Sequence, residues 1–169
     1  HIVIHTNSKK AFQARLLIGA DGLHSRVRRM AGLEGTDSTL RRWGIRRHVQ
    51  MAPWSSYVEV YWSHGIEAYI TPCGSNLVNV AFLWDGVGHA DVRGGDKGFN
   101  RLMALFPSVG AKVDAGTPVG DIRAAGPLHQ RVRSSVADGV LLLGDAAGYL
   151  DAITGEGLSL AFTQAAALT

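Results

Sequence analysis

The chain has 169 residues, of which 46% are hydrophobic and 18% are charged, and its formal net charge is +3 at pH 7. This length suits one globular domain with a buried core, and the composition excludes an intrinsically disordered chain. No apolar run approaches the roughly 18 residues of a membrane span, so no transmembrane segment is predicted. Cys73 is the single cysteine, which excludes an internal disulfide and a thiolate metal cluster and favours a reducing compartment. We therefore expect a cytoplasmic protein.

The first twenty residues predict two strands joined by a tight turn. His1–His5 reads as the first strand and Asn7–Lys10 as a hairpin turn with charged ends. Ala14–Ala20 is predicted to be the second strand, and it ends in a glycine-containing turn.

A candidate helix cap, Ser25, is followed by Arg26, Arg28 and Arg29. Cations are unfavourable at the positive end of a helix dipole, so an anion held nearby would offset their cost. The phosphates of a dinucleotide are one candidate for that anion. The alternative is that the three long side chains extend into water, where exposed charges cost little.

Residues 41–85 alternate between apolar and polar side chains, which indicates antiparallel strands. Three alternating runs, Tyr57–Trp62, Gly65–Ile70 and Val78–Trp84, are separated by turn residues and predict a meander. Their aromatic side chains could line a substrate cavity on one face, or could pack under helices as core. Helical spacing follows until Pro107 ends it, and Val119–Leu128 is predicted to be a returning strand.

Several function classes find no support in the sequence. The seven histidines lack metal-ligand spacing, and no paired carboxylates or Ser/His/Asp arrangement indicates hydrolysis. A basic nucleic-acid-binding module would show steeply salt-dependent affinity, but no recognisable module accompanies the basic residues, so no nucleic-acid partner is predicted. The basic cluster is expected to be solvated surface or, second, an anionic-cofactor site; it comprises Arg26, Arg28, Arg29, Arg41, Arg42, Arg46 and Arg47.

The most informative stretch begins at Val140. Val140–Leu143 is a continuous apolar run, predicted to be a strand buried on both faces, and Asp145 places a carboxylate at its carboxyl end, where open α/β sheets bind ligands. Beyond Thr154–Gly157 the spacing becomes helical, and unpaired amides at a glycine-rich helix start attract negative charge. Together these groups suit a ligand with sugar-like hydroxyls and phosphate. The alternative is an ordinary strand-turn-helix with Asp145 in a turn and Thr154 as the helix N-cap.

Two of these segments resemble motifs of one enzyme superfamily. Gly19–Arg28 resembles the DG motif of the single-component FAD-dependent oxidoreductases, and Gly144–Gly148 with Thr154–Leu158 resembles their GD motif. The superfamily includes aromatic hydroxylases similar to p-hydroxybenzoate hydroxylase, geranylgeranyl reductases and flavin-dependent halogenases. The resemblance implies an α/β (α+β) fold, in which residues 1–40 and 129–169 form part of a Rossmann-like FAD-binding domain. Residues 41–128 would form an inserted antiparallel substrate-domain sheet with a helix.

The resemblance also implies residue roles in holding FAD. Asp145 would bond the ribityl or ribose hydroxyls, and the amides of Gly157 and Leu158 would face the flavin pyrimidine edge. Asp21, Ser25 and Arg28 would help to form the channel that handles FAD and NAD(P)H. No catalytic side chain is predicted. The implied cofactor-binding set is Asp21, Gly22, Ser25, Arg28, Gly144, Asp145, Ala146, Gly155, Gly157 and Leu158.

The sequence departs from the superfamily in three places. No Gly-x-Gly-x-x-Gly occurs, so the resemblance implies that the unit gripping the ADP half of FAD lies upstream of His1. Ala152 stands where the superfamily often has proline, and Glu67–Pro72 keeps only the proline and one aromatic residue of a substrate-domain signature.

The expected function is an FAD-dependent oxidoreductase of monooxygenase or reductase type. It would use NAD(P)H-reduced flavin on an apolar or aromatic small molecule. The alternative is a truncated, non-catalytic fragment that needs its missing N-terminal segment to hold FAD.

Overall fold

The structure, a computed structural model, describes residues 1–36, 41–86, 95–152 and 155–168. The chain divides into two compact units. The first unit comprises residues 1–39 and 128–169, and the second comprises residues 40–127. The mixed α/β class predicted from the sequence is confirmed. None of the helices in the described residues is long and apolar enough to cross a membrane.

The first unit contains a hairpin and a small mixed sheet. The hairpin pairs β1 (Ile2–His5) with β2 (Ala11–Ala14). In the sheet, β3 (Leu17–Gly19) runs parallel to β10 (Val140–Leu142), which also pairs antiparallel with β9 (Val136–Ala137). The prediction of one strand over Ala14–Ala20 is therefore wrong. The segment splits because β2 belongs to the hairpin, whereas the amide of Leu17 already bonds the carbonyl of Gly139 beside the sheet.

The helix α1 (Arg26–Met30) packs against β3 through a glycine. A Cβ atom at Gly19 would lie 2.8 Å from side-chain atoms of both Val27 and Leu142, so a larger residue would push the helix off the sheet. Leu33, Val140 and Leu142 form the buried core here. This packing fixes the loop after β3 close to the carboxyl end of β10.

The carboxyl end of β10 leads into a 3₁₀ turn (Gly144–Ala147) and then to α4 (Gly157–Ala166). The helix starts within the stretch predicted from the sequence, while Thr154, the alternative N-cap, lies outside the described residues. The apolar side chains of α4 remain exposed, as the values of 74% for Leu158 and 70% for Phe162 show.

The second unit is built on a five-stranded antiparallel sheet, whose strands are β4 (Arg42–Gln50), β5 (Glu59–Ser63), β6 (Ile66–Pro72), β7 (Val78–Asp85) and β8 (Thr117–Ala125). Their order in the sheet is β5-β6-β7-β4-β8. The predicted meander is confirmed, since β5, β6 and β7 pair in sequence. The sequence did not single out β4, which joins the meander to the returning strand β8.

Two helices, α2 (Asp96–Met103) and α3 (Pro107–Val113), pack on one side of this sheet, which we call its first face. Pro107 ends the first helical run, as predicted, but it also opens α3, because proline has no N–H to lose at a first helical position. Phe82 on β7 lies against both helices, with ring centroids 5.2 Å from Phe99 and 5.6 Å from Phe106. Cys73 is exposed, in the turn between β6 and β7.

Candidate functional site

A cleft of about 540 Å³ opens at the carboxyl ends of β3 and β10 in the first unit. Parallel strands end at the same edge of a sheet, and the loops that follow them form the usual ligand site of an open α/β sheet. Here those loops and α4 supply the walls. Described residues lining the cleft are Ala20, Gly22, Leu143, Gly144, Asp145, Tyr149, Asp151, Ala152, Gly155, Glu156, Gly157, Leu158, Ala161, Phe162 and Ala165.

Gly144 holds the 3₁₀ turn against α4. Its φ of +55° lies in the left-handed region, and a Cβ atom there would come within 3.2 Å of the Cβ of Ala161. Its amide donates a hydrogen bond of 2.7 Å to the side-chain oxygen of Gln164 on α4. The sequence reasoning missed Gln164; its only signal was a polar residue within an apolar helix.

The start of α4 and the carboxylate of Asp145 face the same cleft. The first N–H groups of any α-helix have no partner within the helix, so the amides of Gly157 and Leu158 are oriented as donors with the positive end of the helix dipole. A Cβ atom at Gly157 would lie 3.9 Å from Oδ1 of Asp145, so the carboxylate sits beside the helix start. The cleft therefore offers an acceptor for hydroxyl groups beside donors for an anionic group.

The N-terminus of α1 is capped by the protein's own side chains. Asp21 accepts hydrogen bonds from the hydroxyl of Ser25 and from the amides of Arg26 (2.7 Å) and Val27 (3.2 Å). Ser25 in turn accepts from the amide of Arg28, as its predicted N-cap role requires. The anion expected near the arginines is thus the carboxylate of Asp21, and no phosphate is needed there.

These bonds give Asp21 a pH-dependent role in stability. Burial raises the pKa of Asp21, but the hydrogen bonds from Ser25, Val27 and Arg26 outweigh it and hold that pKa below its ordinary value. A carboxyl whose pKa is lower in the folded state stabilises the fold above its unfolded pKa of about 3.9, and this contribution is lost as the pH falls through the folded value.

We expect Asp21→Asn to lower the free energy of unfolding at pH 7 by about 1 kcal/mol, the usual worth of an N-cap interaction. The difference in the free energy of unfolding between the variant and the wild type should shrink as the pH falls below 4. The wild-type carboxyl is then protonated and, like asparagine, carries no charge. Thermal unfolding followed by circular dichroism between pH 3 and pH 7 measures both effects. Asp138→Asn, at an exposed turn of the same unit, is the matched control. A pH-independent difference would contradict this role.

Arg28 links the two motif loops. Its side chain is buried, with 3% exposure, and its guanidinium donates to the backbone carbonyls of Leu23 (2.7 Å), Ala146 (3.1 Å) and Asp145 (3.4 Å). A fourth bond of 3.3 Å reaches the side-chain oxygen of Gln130, a residue that sequence reasoning missed. The planar guanidinium of Arg28 thereby joins the loop after β3 to the turn after β10.

The predicted site residues therefore fall into two groups. Arg26 and Arg29 are exposed, as the alternative of solvated side chains expects, whereas Arg28 contradicts that alternative. The residues that do not line the cleft, and instead form hydrogen bonds within the protein, are Asp21, Ser25, Arg28 and Ala146. The residues that the structure brings together around the cleft are Gly22, Gly144, Asp145, Gly155, Gly157 and Leu158.

This chain is similar to known proteins over nearly its whole length. A family model described as an FAD binding domain matches residues 2–169. Digeranylgeranylglycerophospholipid reductase 1 of Methanococcoides burtonii is 29% identical over 168 residues, and digeranylgeranylglycerophospholipid reductase 2 of Methanosphaera stadtmanae is 27% identical over 170 residues. These alignments cover 93% and 95% of this chain but only 38% and 42% of the two relatives. The chain thus spans about two fifths of the length of these curated relatives.

Solved structures show the same fold. A flavoprotein/dehydrogenase from Cytophaga hutchinsonii superposes with a TM-score of 0.81 at 17% identity, covering 95% of this chain and 42% of that one. The flavin-dependent halogenase CmlS gives 0.78 at 19% identity, with 90% and 29% covered. PqsL of Pseudomonas aeruginosa, a probable FAD-dependent monooxygenase, gives 0.74 at 22% identity, with 98% and 48% covered.

Proposed function

Because the chain belongs to the FAD binding domain family, we propose that the cleft of its first unit holds FAD and that the protein is an oxidoreductase. One observation carries the proposal: the carboxylate of Asp145 and the amides at the start of α4 line one cleft. The carboxylate would accept hydrogen bonds from ribityl or ribose hydroxyls. The amides of Gly157 and Leu158 would stabilise negative charge that develops on the flavin pyrimidine edge. FAD, when bound and reduced, supplies a hydride to the substrate.

We further propose reduction of a carbon–carbon double bond in an apolar, isoprenoid-containing molecule, with NAD(P)H as the electron source. The names of the curated relatives support a reductase. The likeness to a halogenase and a monooxygenase, at 19% and 22% identity, supports the fold alone. In the reaction, one hydride and one proton add across the double bond and NAD(P)H is oxidised. Mass spectrometry of a geranylgeranyl lipid incubated with the protein, FAD and NADPH tests it: the product should gain one hydrogen molecule per reduced bond, and an unchanged lipid mass would contradict it.

The FAD site itself is tested by titrating FAD fluorescence with the wild type and with Asp145→Ala. We expect saturable binding by the wild type and a dissociation constant about 10- to 100-fold higher for the variant, since hydrogen bonds to a charged group contribute about 1.5–3 kcal/mol. Asp138→Ala removes an exposed carboxylate of the same unit away from the cleft and should bind like the wild type. Equal FAD affinities for all three proteins would show that Asp145 does not contribute to FAD binding.

The same titration addresses the alternative that further residues are needed to hold FAD. It is carried out on the 169-residue chain and on the product of the full reading frame that encodes it. Binding by both supports a site carried by the cleft alone. Binding only by the longer product supports the alternative, and binding by neither would overturn the proposal.

A further inference from the structure

The cleft of the first unit is lined by acidic side chains. Three carboxylates face it, those of Asp145, Asp151 and Glu156. No lysine, arginine or histidine occurs among the described residues of its lining. Partial positive charge is supplied there by the backbone amides at the start of α4. The electrostatic potential in the cleft is therefore a balance between carboxylates and a helix terminus.

Glu156 stands directly before those amides. It is the N-cap residue of α4, and its carbonyl accepts the first hydrogen bond of the helix, 2.8 Å from the amide of Leu160. The amides of Gly157, Leu158 and Ser159 come before that bond and have no partner within the helix. The carboxylate of Glu156 forms no capping hydrogen bond with them. Its charge lies close to the amides without being bonded to one.

The other charged groups near the cleft already have contacts of their own. Asp145 lies beside Gly157, where a Cβ atom would be 3.9 Å from its Oδ1, and it is the proposed acceptor for cofactor hydroxyls. Asp151 already makes an interaction within the protein. Arg28 donates to backbone carbonyls, that of Asp145 among them, and does not line the cleft. By contrast, the exposed carboxylate of Glu156 has no hydrogen bond or ion pair with a described residue.

A charge at Glu156 would act on the oxidation state of a flavin in the cleft. Reduction places negative charge on the flavin pyrimidine edge, opposite the amides of Gly157 and Leu158 in the proposed arrangement. The amides favour this charge, whereas a neighbouring carboxylate repels it. Consecutive Cα atoms are only about 3.8 Å apart, so Glu156 lies within the Debye length of about 10 Å at 0.1 M salt. Salt therefore weakens the repulsion without abolishing it.

We propose that Glu156 lowers the reduction potential of the bound flavin and so makes the reduced cofactor a stronger hydride donor. The inference rests on the proposed function, because it requires FAD in this cleft. It goes beyond that function in assigning the driving force of hydride transfer to a residue that does not hold the cofactor. Transfer of a hydride to the substrate removes the negative charge from the pyrimidine edge, so the repulsion from Glu156 is relieved in the productive direction.

The midpoint potential of the bound flavin, measured against a redox dye on the product of the full reading frame, tests the proposal. In Glu156→Gln it should lie about 15–30 mV above the wild type, because losing one exposed charge beside the flavin shifts the ratio of reduced to oxidised cofactor about three- to tenfold. Glu156→Asp keeps the charge and a favourable N-cap, so its potential should match the wild type. Added salt should raise the potential of the wild type more than that of Glu156→Gln.

Glu34→Gln removes an exposed carboxylate of the same unit that does not line the cleft, and it is the matched control. A wild-type potential in Glu156→Gln would overturn the proposal, as would an equal rise in Glu34→Gln or in Glu156→Asp. FAD fluorescence titration of the same proteins separates this inference from the proposed function. If all of them bind FAD and share one potential, only the inference fails, whereas the absence of FAD binding by the wild type would overturn both.

Discussion

Replacing Arg28 by Met is expected to destabilise the first unit by about 2–5 kcal/mol, because several backbone carbonyls lose their donor at once. Methionine has a similar length but no donors, so the buried carbonyl of Ala146 and the partly buried carbonyl of Leu23 would lose this donor. Arg28→Lys keeps the charge but not the planar fork, and a single ammonium cannot reach both loops in the same geometry. It should therefore recover only part of the loss.

Hydrogen exchange measures this effect within the first unit, through the amides of β10 and of the turn that follows it. We expect faster exchange at Leu142 and Leu143 in Arg28→Met, together with weaker FAD binding, because the turn that carries Asp145 loses its tether. Arg29→Met is the control, since among the residues that the structure describes that exposed side chain makes one hydrogen bond, to the carbonyl of His24. Equal protection in the two variants would show that Arg28 does not hold the loops together.

Phe82→Ala is expected to cost the second unit about 3–5 kcal/mol, the range for removing a fully buried aromatic side chain. Phe82 has 0% exposure and packs against both Phe99 and Phe106, so its removal leaves a cavity between the sheet and the two helices. The neighbouring rings can close such a cavity only in part, because Phe99 is held on α2 and Phe106 is held at the N-cap of α3.

Denaturant unfolding followed by tryptophan fluorescence measures this loss in the free energy of unfolding. All four tryptophans, Trp43, Trp54, Trp62 and Trp84, lie in the second unit, so the signal reports that unit alone. Tyr57→Ala removes an aromatic ring that is 78% exposed and should change the free energy of unfolding by about 0.5 kcal/mol or less. A loss for Phe82→Ala no larger than this control would contradict the packing described for the first face.

The sequence predicted those parts of the site that depend on local pattern. A buried strand followed by Gly144 and Asp145, and a glycine-rich helix start at Gly155–Leu158, can be read from neighbouring residues alone, and the structure gathers them around one cleft. Ser25 as the cap of α1 is equally local and is confirmed by the bond from the amide of Arg28.

What the sequence could not predict depends on contacts between distant residues. Arg28 is buried because Gln130 and Ala146, more than a hundred positions away, accept its hydrogen bonds. The alternation of apolar residues in β4 is interrupted at Arg47, which occupies a position on the first face. There Arg47 pairs with Asp96, and its guanidinium lies 5.5 Å from the ring centroid of Phe99. Nothing adjacent to these arginines in the chain distinguishes them from solvated ones.

Amide chemical shifts recorded during an FAD titration most directly test whether FAD lies in the proposed cleft between Asp145 and the start of α4. We expect the largest saturable shifts at Asp145, Gly157 and Leu158. They should be lost in Asp145→Ala and kept in Asp138→Ala. Shifts confined to the sheet of the second unit, or no saturable shift at the start of α4, would contradict it.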